Sequence, residues 1–260
     1  LFSLNIAAQS DNWETHFEKS GGVATPDYES TVTYCKALDD ASEMVKYTTF
    51  GVSPQGRPLP LLIIDRKGNF TPDRVKASGN AILLLQAGIH PGEIDGKDAG
   101  LMFFRDLIIH EKLPGLLDGL TYLFIPIFSV DGHERSGPYN RINQDGPEEM
   151  GWRANALNLN LNRDYLKVDA PETIAWLKLF REWLPDFFVD FHVTDGADRL
   201  PHRGVPVLGF RDAEVGDVGV ARLVQQDVAR LEIPVHDPHL VSVNQRFGDP
   251  SADLRSPAVR

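Results

Sequence analysis

The chain has 260 residues, of which 42% are hydrophobic and 24% are charged, which is the composition of an ordinary globular domain with a sizeable core. Its net charge of −11, without any basic stripe, argues against nucleic acid as a partner. No apolar run reaches the length of a membrane-spanning helix, and the single Cys35 excludes an intrachain disulfide and is expected to be a buried filler.

Residues 1–9 are interpreted as the end of a signal peptide with a small-residue cleavage site, which predicts a secreted or periplasmic protein. A short N-terminal strand is the alternative. Residues 10–260 are then expected to form one domain. Hydrophobic patterns predict strands at 59–64, 81–86, 121–128 and 186–191, and helices at 28–45, 96–110 and 171–184. This alternation predicts an α/β fold with a mixed, mostly parallel central sheet and helices on both faces.

The last of these predicted helices has a clear start signal. Asp169 is the expected capping residue and Pro171 suits the first turn, since proline lacks the N–H that this turn leaves unpaired. The apolar residues of this segment recur at helical spacing, so we expect a core face made of Trp176, Leu177, Phe180 and Leu184.

The most informative residues are a histidine and a glutamate in His90-Pro91-Gly92-Glu93, directly after the predicted strand 81–86. A second histidine, His192, follows the predicted strand 186–191. An isolated His-x-x-Glu is more often a solvated loop than a ligand pair. Here both segments follow strands, and functional groups concentrate at the carboxyl ends of strands in open α/β sheets. Two imidazoles and one carboxylate suit a single catalytic zinc ion, because three protein ligands leave a fourth position for water.

Three further segments lie between the proposed ligands: Asp131-Gly132-His133-Glu134-Arg135, Gly151-Trp152-Arg153 and Asn158-Leu159-Asn160-Leu161-Asn162-Arg163-Asp164-Tyr165. Taken in order with the ligands, they resemble the zinc metallocarboxypeptidases of the carboxypeptidase A (M14) family. The similarity is greater to large bacterial secreted members than to the digestive enzymes, and it covers approximately residues 45–198. It also implies a first strand pair near residues 49–59.

The resemblance implies a role for each matching residue. His90, Glu93 and His192 match the zinc ligands, and Arg153 matches the arginine that polarises the scissile carbonyl. Asn162 and Arg163 match the pair that binds the free carboxylate of the substrate, a task for which a planar guanidinium is well suited. Without the order of the motifs, Arg153 and Arg163 would be interpreted as ordinary surface or ion-pair arginines. The alternation of asparagine and leucine over 158–162 would equally fit a half-buried strand, with Leu159 and Leu161 on its core side.

Asp190 is a candidate for orienting a ligand, whereas His16, His110 and His133 have no partner pattern and are interpreted as structural or solvated. The resemblance also implies a glutamate general base and a tyrosine that covers the substrate, both after His192. Glu214 and Glu232 are the only glutamates there, and neither has a matching context; no tyrosine follows Tyr165.

The last part of the chain differs from the rest. Residues 200–260 contain seven arginines but no lysine, and only Phe210 and Phe247 as aromatic residues. Two interpretations stay open for residues 199–260. Either the family pattern is interrupted by truncation, rearrangement or a shifted reading frame, or this is a divergent native segment with a helix near residues 215–231. The expected carboxypeptidase-like fold is incomplete at the C-terminus in the first case.

The leading hypothesis is a zinc-dependent metallocarboxypeptidase that acts on peptides with a free C-terminus. One alternative is a zinc-binding domain that is hydrolytically disabled, because its general base is not identified. Another is a deacylase or amide hydrolase on the same scaffold.

Overall fold

The computed structural model describes residues 13–141, 144 and 146–193, and the statements below concern these residues. The predictions for residues 1–9 and 199–260, including Glu214, Glu232 and the helix near 215–231, lie outside them. Within the described ranges, no helix combines the length and the apolar character needed to cross a membrane.

The described chain alternates between helices and strands. The strands are β1 Val45–Val52, β2 Pro58–Asp65, β3 Ala81–Gln86, β4 Leu120–Ile125 and β5 Phe187–Asp190. The α-helices are α1 His16–Lys19, α2 Tyr28–Ala41, α3 Pro72–Ser78, α4 Asp95–Ile108, α5 Val130–His133 and α6 Pro171–Trp183. Two 3₁₀ turns cover Pro114–Leu117 and Leu161–Arg163.

The five described strands form one mixed sheet in the order β1-β2-β4-β3-β5. β2 is antiparallel to both of its neighbours, whereas β3 is parallel to β4 and to β5. Four of these strands therefore run in one direction and only β2 opposes them. The predicted α/β fold with a mixed sheet is confirmed, and β1 and β2 form the expected first strand pair.

Helices cover both faces of the sheet because the central strands are apolar on both sides. On β2, Leu61 and Ile63 belong to a core with α3 and α6. The alternate residues Leu62 and Ile64 belong to a second core with α2 and α4. Cys35 is fully buried in the second core, as expected for a filler.

α2 ends earlier than predicted. It begins after Asp27, whose carboxylate accepts a hydrogen bond from the N–H of Ser30, and it ends at Ala41. Ser42 is extended, with φ −151° and ψ 130°, and Val45 begins β1. Pairing with β2 therefore outweighs the helical pattern of the sequence in residues 42–45.

Two predictions for α6 were wrong. The N-cap is Ala170 and not Asp169, because the Asp164 carboxylate accepts hydrogen bonds from the N–H groups of both residues. Leu184 is 58% exposed, since the backbone turns to φ 48° there and directs the side chain away from the core. Leu179 and Trp183 are buried on the core face, together with the expected Trp176.

Candidate metal centre

The topology brings the two ligand segments to one edge of the sheet. β3 and β5 are parallel neighbours, with Gln86 paired to Asp190 at their carboxyl ends. His90 lies four residues beyond the end of β3, and His192 lies two residues beyond the end of β5. Both loops therefore leave the sheet at the same edge, as the sequence predicted.

A tight turn after β3 places Glu93 beside His90. Gly88 has φ +69°, and a Cβ there would lie 3.2 Å from the backbone of Ile127. Glycine permits this approach because it has no side chain and tolerates positive φ. The N–H of Glu93 then donates to the carbonyl of His90 at 2.8 Å, which closes the turn.

The three predicted metal ligands meet in the folded chain. Nδ1 of His90 lies 2.9 Å from Oε1 of Glu93, and Nδ1 of His192 lies 3.0 Å from Oε2 of the same carboxylate. The ligand atoms all lie within 4.8 Å of one another. His90 and Glu93 are buried, and the His192 side chain is 26% exposed. One side of the cluster is thus accessible to a small molecule.

The other ring nitrogens are held by oxygen atoms. Nε2 of His90 lies 3.3 Å from Oδ1 of Asn160, and Nε2 of His192 lies 3.1 Å from Oδ2 of Asp190. If Nδ1 of each ring ligated a metal, the ring proton would lie on Nε2, where these oxygen atoms accept it and fix the ring orientation. Asp190 therefore occupies the position expected of a residue that orients a ligand.

The cluster holds opposite charges close together. Burial alone raises the pKa of Glu93, but hydrogen bonds from His192 and His90 outweigh it and hold this pKa well below its ordinary value. Burial lowers the pKa of His192, while hydrogen bonds to Asp190 and Glu93 outweigh that effect and raise the pKa to about 9. Glu93 is thus ionised at neutral pH, as a metal ligand must be.

This donor set fits zinc. Two imidazole nitrogens and one carboxylate form a known catalytic zinc set, with bonds of about 2.0–2.2 Å. Ligands on a tetrahedral ion with such bonds lie roughly 3.4 Å apart. The ring nitrogens here lie 2.9 and 3.0 Å from the carboxylate oxygens, so small movements would admit the ion.

Two guanidinium groups lie at the cluster, and a third lies near enough for its charge to act on one of them. Nη1 of Arg153 lies 3.8 Å from Oε1 of Glu93, and Nη1 of Arg141 donates to that same oxygen at 2.7 Å. Partial burial lowers the pKa of Arg153, and the positive charges of Arg141 and Arg163 lower it further against the opposing effect of Glu93. The arginine charges therefore act on a common region, which favours an anionic ligand.

The predicted carboxylate-binding pair lies on a turn and not on a strand. Asn158 has φ 58°, and residues Leu161–Arg163 form a 3₁₀ turn, so the alternative of a half-buried strand was wrong. The expectation that Leu159 and Leu161 face the core is nevertheless correct, because Leu161 is fully buried and Leu159 packs against the same core. The exposed Arg163 donates through Nη1 to the carbonyl of Asn162 at 2.9 Å.

Sequence reasoning missed Arg141, and it interpreted Asn160 only as part of a strand. Asn160 lies in a segment that carries the resemblance, but no local pattern assigned a contact to it or to Arg141, because each acts on a partner that is distant in sequence. One available signal was Gly92, since a glycine beside a ligand permits a close approach of another chain segment.

A comparison with protein families matches residues 31–203 to the zinc carboxypeptidase model. The chain belongs to the zinc carboxypeptidase family. This membership confirms the resemblance stated from the sequence, and the match includes all three proposed ligands of the zinc carboxypeptidase centre.

Solved structures show the same fold at low sequence identity. A metallo-carboxypeptidase from Burkholderia cenocepacia is 20% identical, with a TM-score of 0.51 over 65% of this chain and 41% of that one. A putative carboxypeptidase from Burkholderia mallei is 21% identical, with a TM-score of 0.50 over 65% and 39%. Carboxypeptidase A from Helicoverpa armigera is 16% identical, with a TM-score of 0.50 over 65% and 46%. The chain thus spans less than half the length of each of these three proteins.

Proposed function

We propose that this protein is a zinc-dependent carboxypeptidase, which hydrolyses the C-terminal peptide bond of a peptide and releases one amino acid. The convergence of His90, Glu93 and His192 within 4.8 Å carries the proposal. Membership of the zinc carboxypeptidase family supports it. A secreted or periplasmic location is part of the proposal, and the resemblance to secreted bacterial members favours it.

The three ligands would hold one zinc ion. When bound, zinc polarises a carbonyl and lowers the pKa of a coordinated water toward neutrality. The protein contributes the orientation of the ligands. Asp190 and Asn160 hold the outer ring nitrogens of the two histidines, and the N–H of Val193 donates to Oε2 of Glu93 at 3.1 Å.

The arginines would bind the anionic parts of the substrate. Arg153 is 43% exposed and lies at the ligand cluster, where it would stabilise the negative charge that develops on the scissile carbonyl oxygen. Such a donor is worth on the order of 3 kcal/mol. Asn162 and the exposed Arg163 would bind the terminal carboxylate, because a guanidinium and a carboxylate form paired hydrogen bonds. The resemblance also implies a glutamate general base after His192, and neither Glu214 nor Glu232 has the sequence context that matches it.

The proposal is tested first by metal content. The purified chain is expected to hold about one zinc ion, and His90→Ala or His192→Ala is expected to remove most of it, as measured by elemental analysis. A matched control is His110→Ala, because His110 lies at the end of α4 near Asp106 and not in the cluster. Unchanged zinc content in both cluster variants would contradict the proposal.

A pair of peptides then tests the reaction. A peptide with a free C-terminus is expected to lose its last residue, whereas the same peptide with a C-terminal amide is expected to be resistant. Amidation removes the charge that Arg163 would bind, so binding should be lost as well. Equal hydrolysis of both peptides would favour an amide hydrolase or deacylase. Zinc binding without turnover of either peptide would favour a hydrolytically disabled domain.

A further inference from the structure

We propose that Arg141 is a positioning residue that orients the Glu93 carboxylate for zinc, through a close approach that Gly92 permits. The inference rests on the proposed zinc site. In the described residues, the Glu93 carboxylate has four hydrogen-bonding partners. Oε1 accepts hydrogen bonds from His90 and Arg141, and Oε2 accepts them from His192 and from the N–H of Val193.

Two of these four contacts change when a metal binds. A ring nitrogen that ligates a metal carries no proton there, so it cannot also donate to Glu93. Arg141 and the Val193 N–H do not depend on the histidine protons, and they would keep their contacts. Each carboxylate oxygen would then retain one outer donor. Arg141 is therefore the only side chain in the described part of the chain that would still donate a hydrogen bond to Glu93, since Arg153 lies farther away, at 3.8 Å from Oε1.

The Arg141 side chain is built into the site. It is only 9% exposed, and its charge-assisted hydrogen bond to Oε1 is 2.7 Å long. Its aliphatic stem lies directly over Gly92. A Cβ at position 92 would lie 2.7 Å from Cγ and 2.8 Å from Cδ of Arg141, and 3.2 Å from the carbonyl oxygen of Gly151. Any side chain at residue 92 would displace this stem.

A second contact holds the same two segments together. Nε2 of Gln144 donates to the carbonyl of Gly92 at 2.7 Å. The residue that precedes the zinc ligand is thus covered by the segment that carries Arg141. The glycine and the arginine act as a pair, although they are far apart in sequence.

Two effects of Arg141 on zinc binding have opposite signs. Its positive charge repels a metal ion, and this effect alone would weaken zinc binding. Its hydrogen bond fixes the ligand in the metal-binding orientation, and loss of such outer contacts commonly costs about 10–100-fold in metal affinity. Orientation is the larger of the two effects, so removal of the Arg141 guanidinium is expected to weaken zinc binding, whereas a dominant repulsion would make zinc binding tighter.

The experiment measures the zinc dissociation constant of the full chain by competition with a chelating dye. Arg141→Met and Gly92→Ala are each expected to weaken zinc binding by about 10-fold. Arg74→Met is a control at an exposed arginine of α3, and Gly115→Ala is a control at a glycine where a Cβ would make only an ordinary contact, 4.0 Å from Oδ2 of Asp118. Both controls are expected to retain the affinity of the unmodified chain.

Thermal unfolding of the zinc-free variants separates orientation from folding, because a positioning role predicts weaker zinc binding at an unchanged melting temperature. Unchanged or tighter zinc binding in Arg141→Met would overturn the proposal. Normal affinity in Gly92→Ala would overturn the pairing with Gly92, and it provides an independent test if Arg141→Met does not fold. If the unmodified chain binds no zinc, the proposed function fails instead.

Discussion

At the scale of single residues, Asp190 connects the sheet to the ligand cluster. Its Oδ2 accepts from Nε2 of His192 and from the hydroxyl of Tyr165, both at 3.1 Å, and its Oδ1 accepts from Nε2 of Gln86 at 3.0 Å. Three donors fix this carboxylate at the end of β5. A fixed carboxylate in turn fixes the ring of His192 and increases its basicity as a ligand.

We expect Asp190→Asn to weaken zinc binding by about 10–100-fold, because an amide replaces the carboxylate that holds His192. Competition with a chelating dye measures the change. The matched control is Asp186→Asn at the other end of β5, where the carboxylate accepts from the N–H of Ile82 at 2.8 Å. If the two variants bind zinc equally well, Asp190 has no specific effect on the ligand.

At the scale of elements, the short helix α5 is attached to its neighbours by buried polar contacts. Asp131 is fully buried and accepts from Oγ of Ser53 at 2.8 Å and from Nη1 of Arg57 at 2.7 Å, which ties α5 to the turn between β1 and β2. Nζ of the buried Lys97 in α4 lies 2.9 Å from Nε2 of His133. These contacts hold α5 against the turn between β1 and β2 and against α4.

The contact between α4 and α5 makes stability depend on pH. Burial and the charge of Lys97 lower the pKa of His133 to about 4, whereas an unfolded histidine titrates near 6.5. Between these values only the unfolded chain binds the proton. The resulting stability is therefore fully present above pH 6.5 and is lost as the pH falls toward 4.

We expect the free energy of unfolding to fall from pH 6.5 to pH 4.5, and His133→Gln to reduce this fall by about 2 kcal/mol. Urea unfolding with a chelator present measures both chains without interference from bound metal. The control variant is His110→Gln, because His110 lies near Asp106 and outside the contact between Lys97 and His133, and it should reduce the fall by less than His133→Gln does. If the free energy of unfolding depends on pH identically with and without His133, this histidine does not cause the loss of stability.

At the scale of the whole described molecule, apolar cores cover both faces of the sheet and the candidate site lies at its edge. The core on one face contains Trp176 of α6, and the core on the other contains Phe104 of α4. The proposed metal ligands lie in two loops that follow β3 and β5. A bound ion would therefore link loops that are joined otherwise by hydrogen bonds.

Zinc is expected to raise the melting temperature of the chain, because an ion that binds only the folded state stabilises it by mass action. At 100 times its dissociation constant the gain is about 2.7 kcal/mol. Calorimetry with and without zinc measures the shift, and the double variant His90→Ala/His192→Ala should show none. A melting temperature that does not respond to zinc would argue against binding specific to the folded state.

Much of the fold follows from local patterns in the sequence. Apolar runs predicted β3 with its observed bounds Ala81–Gln86, and the start of α6 at Pro171 was also correct. The order of short motifs indicated the family, and the positions of His90 and His192 after strands predicted that they would meet. These features could be predicted from the sequence because periodicity, strand ends and motif order depend on neighbouring residues.

The tertiary structure alone decided which distant residues act on the ligands. Arg141 reaches Glu93 because Gly92 leaves space for its stem, and Asn160 reaches His90 because its segment forms a turn. No local pattern encodes such contacts, since they depend on how separate segments pack. The sequence by itself thus determined the fold class, the family and the proposed ligands, whereas packing determined how those ligands are oriented.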